Sequence, residues 1–269
     1  MQPSKRSWDD FASKMLVHSG LDLRDYKAPQ MQRRTLNMME SKSFVDLEEF
    51  WNWIFSSKAN LQWYLDKLAI NVSELFRNPD RWSEVETVVL PDLLGSKREL
   101  RAWSAGCSYG AEAYTLAMIL RENFDVPFNV TGTDIDEEAL AQAEEGVFSD
   151  NDVRAVPKKY RRYLTRCEEK WRADEALKRH LKFKRQNLLA EKFETGFDLI
   201  VCRNVVIYFT DDARNDLYQR FFDSLRPGGY LFVGGTERIF NNDAIGFETA
   251  LPFFYKKPTT EATQWRNAS

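Results

Sequence analysis

Phe197-Asp198-Leu199-Ile200-Val201 constrains the fold more than any other stretch of this chain. It is a short apolar run that closes on Cys202-Arg203-Asn204-Val205-Val206-Ile207-Tyr208-Phe209. A strand buried on both faces reads as such a run rather than as apolar-polar alternation, and such strands belong to parallel sheets covered by helices. The same grammar recurs from about residue 98. Leu100-Arg101-Ala102-Trp103-Ser104-Ala105 reads as a strand and Ala111 to Arg121 as a helix. Phe128 to Thr133 reads as a strand and Glu137 to Glu144 as a helix. Beyond the run into Cys202 come a helix from Asp211 to Leu225, the turn Arg226-Pro227-Gly228-Gly229 and a strand Tyr230 to Val233. A last strand, about 247–255, closes the edge as an antiparallel hairpin. Strand-helix alternation of this kind specifies an α/β fold with a doubly wound, mostly parallel sheet. Ligands of such sheets bind outside the carboxyl ends of the strands, which is where Arg203, Asn204 and Tyr208 fall.

The first 90 residues have a different period. Trp8, Phe11, Met15 and Leu16 mark one side of a helix capped by Ser7 and stopped by Gly20. Pro29 fits the first turn of a second helix. Phe44, Leu47, Phe50, Trp51 and Ile54 recur at helical spacing behind a cap at Ser43, and a fourth helix runs from Leu61 to Ile70. The segment 157–187 is dense in Lys and Arg. Its Leu181-Lys182-Phe183-Lys184 alternates like a strand with one solvated face, so a small β insertion is expected there.

With 269 residues the chain can hold two domains, and a net charge of -3 sets up no global attraction to nucleic acid or membrane. No apolar run approaches the roughly 20 residues of a membrane span, and no signal-peptide core follows the N-terminus. A cytoplasmic monomer that binds no nucleic acid and inserts in no membrane is expected. Cys107, Cys167 and Cys202 form no CxxC pair, and Cys107 and Cys202 read as small buried residues. The two histidines, His18 and His180, sit in no motif, which argues against a Ser-His-Asp hydrolase and a His-ligated metal centre. No metal is expected.

The turn Ser104-Ala105-Gly106-Cys107-Ser108-Tyr109-Gly110 follows the first strand and opens a helix, where small residues admit a ligand to the backbone. The second strand ends at Asp134, with Asp136 two residues on. An acid at this distance from the glycine turn can accept both ribose hydroxyls of an adenosine. Helix capping before Glu137 accounts for Asp134 and Asp136 equally well. Glu112 near the turn repels a pyrophosphate but suits a cationic ligand, which favours S-adenosyl-L-methionine over a nicotinamide dinucleotide.

Taken together, several segments resemble the chemotaxis receptor methyltransferases of the CheR type. They are Asn71-Val72-Ser73-Glu74-Leu75-Phe76-Arg77, Trp103-Ser104-Ala105 with Cys107-Ser108, Thr133-Asp134-Ile135-Asp136, Gln186-Asn187-Leu188-Leu189, Cys202 to Phe209, and Leu231-Phe232-Val233-Gly234. They come in the family's order and spacing from about residue 8 to 257. The resemblance implies a Rossmann-like methyltransferase domain preceded by an all-helical domain. Residues 1–80 would be the receptor-recognising helical domain, 81–97 a linker helix, 98–257 the methyltransferase domain with a β subdomain at about 160–187, and 258–269 a disordered tail.

The resemblance also implies roles. Asn71, Ser73 and Arg77 would stand at the cofactor and substrate mouth, with Ser73 where the family usually has Thr. Glu112 and Asp134 would be cofactor acids, Asp134 holding the ribose. Asn187 and Leu188 would flank the adenine, Arg203 and Asn204 lie under the cofactor, and Tyr208 lie near the methyl. Arg77 would orient the substrate carboxylate, or else form an interdomain ion pair; Tyr208 would serve methyl transfer, or else be a core tyrosine. Arg33 and Arg34 are candidates for binding an acidic receptor helix, or else a solvated face. The implied reaction moves a methyl from S-adenosyl-L-methionine to a receptor glutamate, giving a γ-glutamyl methyl ester and S-adenosyl-L-homocysteine. A glutamate is ionised at neutral pH, so the reaction needs no general base.

One turn departs from the family pattern. Ser108-Tyr109-Gly110-Ala111-Glu112-Ala113-Tyr114 lacks the family's first Glu and its Pro, and has Tyr109 for Thr. Loss of that Pro costs under about 1 kcal/mol, and Tyr109 is expected to narrow the cofactor cleft. The hairpin near Cys167 to Trp171 lacks glycine and is short, which argues against docking of a receptor's C-terminal peptide. Two rival readings stay open: a sensor that binds S-adenosyl-L-methionine without catalysis, and a methyltransferase acting on another carboxylate or on RNA.

Overall fold

A computed structural model describes residues 4–68, 73–95 and 99–259. Asn71 and the end of the expected tail lie outside the described residues. Four helices build the first domain: α1 (Lys5–Ser19), α2 (Ala28–Ser41), α3 (Leu47–Phe55) and α4 (Lys58–Leu68). Trp8, Phe11, Ala12 and Met15 form the buried stripe of α1. Phe11 stacks on Trp51 at 4.7 Å and meets Tyr64 edge-on at 5.7 Å, which joins three helices in one core. The caps differ from expectation. Ser4 caps α1 by accepting the Ser7 N–H, and Asp46 caps α3, because Ser43 is left-handed (φ 62°) whereas a cap residue is extended. Leu16 turns outward, and Ala12 takes its place in the core. Gly20 closes α1 in the left-handed conformation (φ 73°).

A helical rod joins the domains: α5 (Pro79–Glu84), a π turn at Val85–Val89, and α6 (Leu90–Leu94). Pro91 has no N–H to continue the α ladder, which accounts for the wide turn before it. The described helical residues of the rod run from 79 to 94, and residues 96 and 97 of the expected 81–97 linker lie outside the described residues.

The main sheet holds β1 (Leu100–Ala105), β2 (Phe128–Asp134), β6 (Leu181–Arg185), β7 (Phe197–Cys202), β8 (Leu225–Val233), β9 (Glu248–Leu251) and β10 (Phe254–Lys256), ordered β6-β2-β1-β7-β8-β10-β9. Neighbours are parallel from β6 to β8, and β10 and β9 close the edge antiparallel. Every residue of β7 is buried. On the faces lie α7 (Ala111–Asn123), α8 (Glu137–Glu145), α9 (Glu175–Lys178), α10 (Asp211–Ser224) and α11 (Asn242–Ile245). All residues of α7 from Ala111 to Leu120 are buried, since the sheet covers one side and the rod and small subdomain the other. Chain order reverses between β1 and β7, the place where such sheets open a ligand crevice.

Two expectations need correction. Leu181–Arg185 is the edge strand of the main sheet, in register with β2 from Val130 to Asp134. The separate small sheet consists of β3 (Val147–Phe148), β5 (Lys170–Ala173) and β4 (Leu164–Cys167), so it spans 147–173 rather than about 160–187. One solvated face is equally the mark of an edge strand, and the pattern does not say of which sheet. Strand β8 also begins at Leu225, paired with Phe197, and runs through the expected turn, whose Gly228 and Gly229 exchange hydrogen bonds of 2.8 Å with Lys257.

The helical domain is sewn to the loop after β7. The Lys27 N–H donates to the Tyr208 carbonyl at 2.9 Å, Lys27 Nζ to the Ile207 carbonyl at 2.9 Å, and the Thr210 N–H to the Asp25 carbonyl at 2.8 Å. Between them Tyr26 meets Phe209 edge-on at 5.1 Å. Among the described residues no helix is long and apolar enough to cross a membrane.

Candidate active site

The carboxyl ends of β1, β2, β6 and β7 converge on one cavity of about 1180 Å³, counted with its mouth. Gly106, Ser108 and Glu112 enter it after β1, Asp134 and Asp136 after β2, Asn187 and Leu188 after β6, and Arg203, Asn204 and Tyr208 after β7. The helical domain roofs it with Leu21, Tyr26, Met31, Leu65 and Leu68, and Ser73 and Arg77 complete the wall. The cavity is therefore acidic and polar below and apolar above.

The β1 loop is held open by its backbone. Gly106 and Cys107 donate N–H to the Thr133 carbonyl at 2.8 and 2.9 Å, and the Ser108 N–H donates to Asp134 Oδ2 at 2.7 Å. Gly106 has φ 74°, and a Cβ there would collide with a Val205 methyl, so its smallness serves packing between two strand ends. The two acids after β2 separate. Both line the cavity, but Asp136 Oδ1 is engaged as cap of α8, accepting the Ala139 N–H at 3.0 Å, while Asp134 receives the N–H groups of Ser108 and Asp136. Burial raises the Asp134 carboxyl, and those N–H donors oppose the rise.

Glu112 and Arg203 form the buried centre of the site. Arg203 Nη1 lies 3.6 Å from Glu112 Oε2, an ion pair longer than a hydrogen bond. Arg203 is fixed by Nη2, which donates to Asn78 Oδ1 at 2.6 Å and to the Arg77 carbonyl at 3.1 Å. Its guanidinium lies 4.8 Å from the Phe232 ring centroid and 5.7 Å from that of Trp82. Among the described residues, Glu112 Oε2 and Arg203 Nε and Nη1 are buried without a hydrogen-bond partner. Burial raises the Glu112 carboxyl above the ordinary range, and Arg203 partly opposes it.

The other expected residues take distinct places. Asn187 Nδ2 donates to the Gly20 carbonyl at 3.3 Å and its Oδ1 accepts the Leu189 N–H, so the side chain also ties the two domains. Tyr208 is half-buried; burial raises its hydroxyl, and the Arg34 and Arg77 charges oppose the rise. Arg33 and Arg34 part company, being about 100° apart on one helix. Arg33 is exposed, whereas Arg34 turns in, donates to the Lys67 carbonyl at 2.7 Å and carries its charge toward Tyr208.

Tyr109 does not narrow the cleft. Its hydroxyl accepts the Ser73 N–H at 3.2 Å and contacts the Ser73 carbonyl and Asp152 Oδ1, which pins the Ser73–Arg77 segment to the methyltransferase domain. The buried thiols of Cys107 and Cys202 are pushed up by burial, as inert residues are. Sequence reasoning missed Tyr26, which lies between helices without periodicity, and Glu237. The latter follows Gly234 at the end of β8, and the strand-end rule that singled out Arg203 could have found it.

The comparisons agree with this geometry. The family model described as CheR methyltransferase, SAM binding domain matches residues 71–250, and that of the CheR methyltransferase all-alpha domain matches residues 6–69. The chain is similar to a chemotaxis protein methyltransferase of Listeria monocytogenes, 39% identical over 243 residues that cover 88% of this chain and 92% of the relative. One from Borreliella burgdorferi is 35% identical over 256 residues, covering 88% and 89%. One from Escherichia coli is 29% identical over 234 residues, covering 82% and 80%. A helical domain roofing a Rossmann-like site, matched along both halves, places this chain in the CheR methyltransferase family.

Proposed function

We propose that the protein uses S-adenosyl-L-methionine to methylate glutamate side chains in the helical region of chemoreceptors, forming γ-glutamyl methyl esters. The observation that carries this reading is the Glu112–Arg203 centre, whose buried polar atoms lack partners at the reversal point of the sheet. An acid and a guanidinium with open hydrogen-bonding capacity fit the ammonium and carboxylate of an amino-acid ligand, and leaving them unmade costs about 1–3 kcal/mol for each group. When bound, the cofactor supplies an activated methyl on a cationic sulfonium.

The chain's residues divide the remaining work. Glu112 and Asp134 supply negative charge for a cationic adenosyl ligand, Asp134 at the ribose. Arg203 and Asn204 form the floor, Asn187 and Leu188 the adenine wall, and Ser73 the mouth. Asn71 belongs to the same assignment. Arg77 orients the incoming carboxylate by charge-assisted hydrogen bonds, and Tyr208 borders the transfer site. The apolar roof of Leu21, Met31, Leu65 and Leu68 excludes water from the cavity. Exposed Arg33 is the remaining candidate for contact with an acidic receptor helix, and the protein acts as a monomer. The sensor reading loses its support, because Tyr109 faces Ser73 and Asp152.

The test is transfer of labelled methyl from S-adenosyl-L-methionine to chemoreceptor-containing membranes, followed by alkali. Label released from the receptor as methanol is the expected result. Cofactor binding by calorimetry with no label on receptor would sink the proposal. The two acids after β2 give a second check. Asp136→Ala should cost about 1 kcal/mol of stability and weaken cofactor affinity less than Asp134→Ala does. Asp134→Ala should weaken affinity about tenfold or more. Equal affinity losses in the two variants would remove Asp134 from its assigned place.

A further inference from the structure

Glu237 is buried, and its carboxylate accepts three backbone N–H groups from two strand ends. Oε2 receives the N–H of Asn204 at 2.6 Å and of Gly234 at 2.9 Å, and Oε1 receives that of Val206 at 3.0 Å. A Cβ on Gly234 would collide with the carboxylate, so the glycine leaves room for it. Glu237 is itself held, because its N–H donates to the Gly234 carbonyl at 2.9 Å and its carbonyl accepts the Tyr218 hydroxyl at 3.1 Å. The segment it holds is unusual. Asn204 is left-handed at φ 61°, and Val206 begins a 3-10 turn, Val206–Tyr208. Among the described residues these N–H groups have no other acceptor, and an orphaned buried N–H is costly.

We infer that Glu237 is a positioning residue for methyl transfer: it clamps the Asn204–Val206 turn and thereby sets Tyr208 at the transfer site. The inference rests on the role proposed for Tyr208. The division of labour between the oxygens makes it testable with one atom. In Glu237→Gln the amide oxygen can keep Asn204 and Gly234. The NH2 group then faces the Val206 N–H, donor against donor, so the turn carrying Tyr208 is released while the Arg203–Asn204 floor stays.

The experiment is a double-mutant cycle on the full chain with Glu237→Gln and Tyr208→Phe, reading kcat, the receptor KM and the calorimetric Kd of S-adenosyl-L-homocysteine. Glu237→Gln is expected to lower kcat about tenfold or more with Kd changed less than about threefold. The double variant should be no slower than the slower single one, since both act through the same hydroxyl. Multiplicative losses would overturn the inference, as would an undiminished kcat in Glu237→Gln while Tyr208→Phe is slow. A Tyr208→Phe variant at full kcat would sink the Tyr208 role instead, and a Glu237→Gln loss alongside it would show the clamp acting elsewhere. Glu237→Asp, which keeps the charge but is too short to span both strand ends, is taken through the same cycle and should also be slow. Loss of cofactor binding and of cooperative unfolding in both Glu237 variants would make Glu237 a fold residue and refute the inference.

Discussion

Arg77→Ala is expected to lose receptor methylation by on the order of 100-fold or more in kcat/KM while cofactor Kd changes only a few-fold. Truncating one partner of a charge-assisted pair in a water-poor site costs about 2–5 kcal/mol. The backbone contact at Arg77 survives the substitution, because its carbonyl receives Arg203 Nη2 whatever the side chain. The guanidinium's charge also reaches Glu112 and Tyr208, lowering both groups, so a modest loss of cofactor affinity accompanies the variant. Arg77→Lys keeps the charge but not the planar fork and should fall between. Turnover and affinity lost in equal measure would instead make Arg77 an interdomain strut.

The second large effect is on the fold. Arg203→Met should destabilise the apo protein by up to about 3–5 kcal/mol near pH 8, because it removes the guanidinium paired with the buried Glu112 carboxylate and leaves only the weaker influence of the Arg77 charge. That is a large part of a typical folding free energy of about 5–15 kcal/mol. The loss has a definite pH dependence. Burial already raises the Glu112 carboxyl above its ordinary 4.5, and removing Arg203 raises it further. A carboxyl raised in the folded state contributes stability that is present below the unfolded value and lost as pH rises through the folded one. The deficit of Arg203→Met relative to the parent should therefore be small near pH 4.5 and grow toward pH 8. Denaturant titrations across that range check it, and a pH-independent deficit would place the damage in lost packing on Trp82 and Phe232.

The reading of elements went furthest where local pattern and tertiary role coincide. The run into Cys202, apolar but for Asp198, reads as a strand covered on both faces, and every residue of β7 is buried. Helix α8 and its cap Asp136 fell where the acid-rich start placed them. Boundaries failed where a competing local geometry won, as at Ser43, whose left-handed backbone leaves the cap to Asp46. Residues 181–185 failed for a different reason. An alternating strand announces one wet face but not its partner, and the partner proved to be β2, not the small sheet.

The site shows the same division. Residue type and order along the chain put Glu112, Asp134, Arg203, Asn204 and Tyr208 after strand ends, and the structure lines one cavity with them, because the carboxyl ends of parallel strands are where side chains can converge without filling the core. Chemistry type followed as well: two acids near a glycine turn, and no histidine in a motif, suit a cationic cofactor and an already ionised nucleophile.

Tertiary structure alone decided which of these groups meet and how. It set Arg203 3.6 Å from Glu112, turned Tyr109 away from the cleft, and split Arg33 from Arg34. It also brought Glu237 from the end of β8 to the backbone of the β7 loop. Sequence by itself determined the elements and the inventory of charges, since periodicity and composition are local. Pairing across 30 or more residues depends on strand order and domain closure, and those are fixed by the shared burial of surfaces that no local pattern encodes.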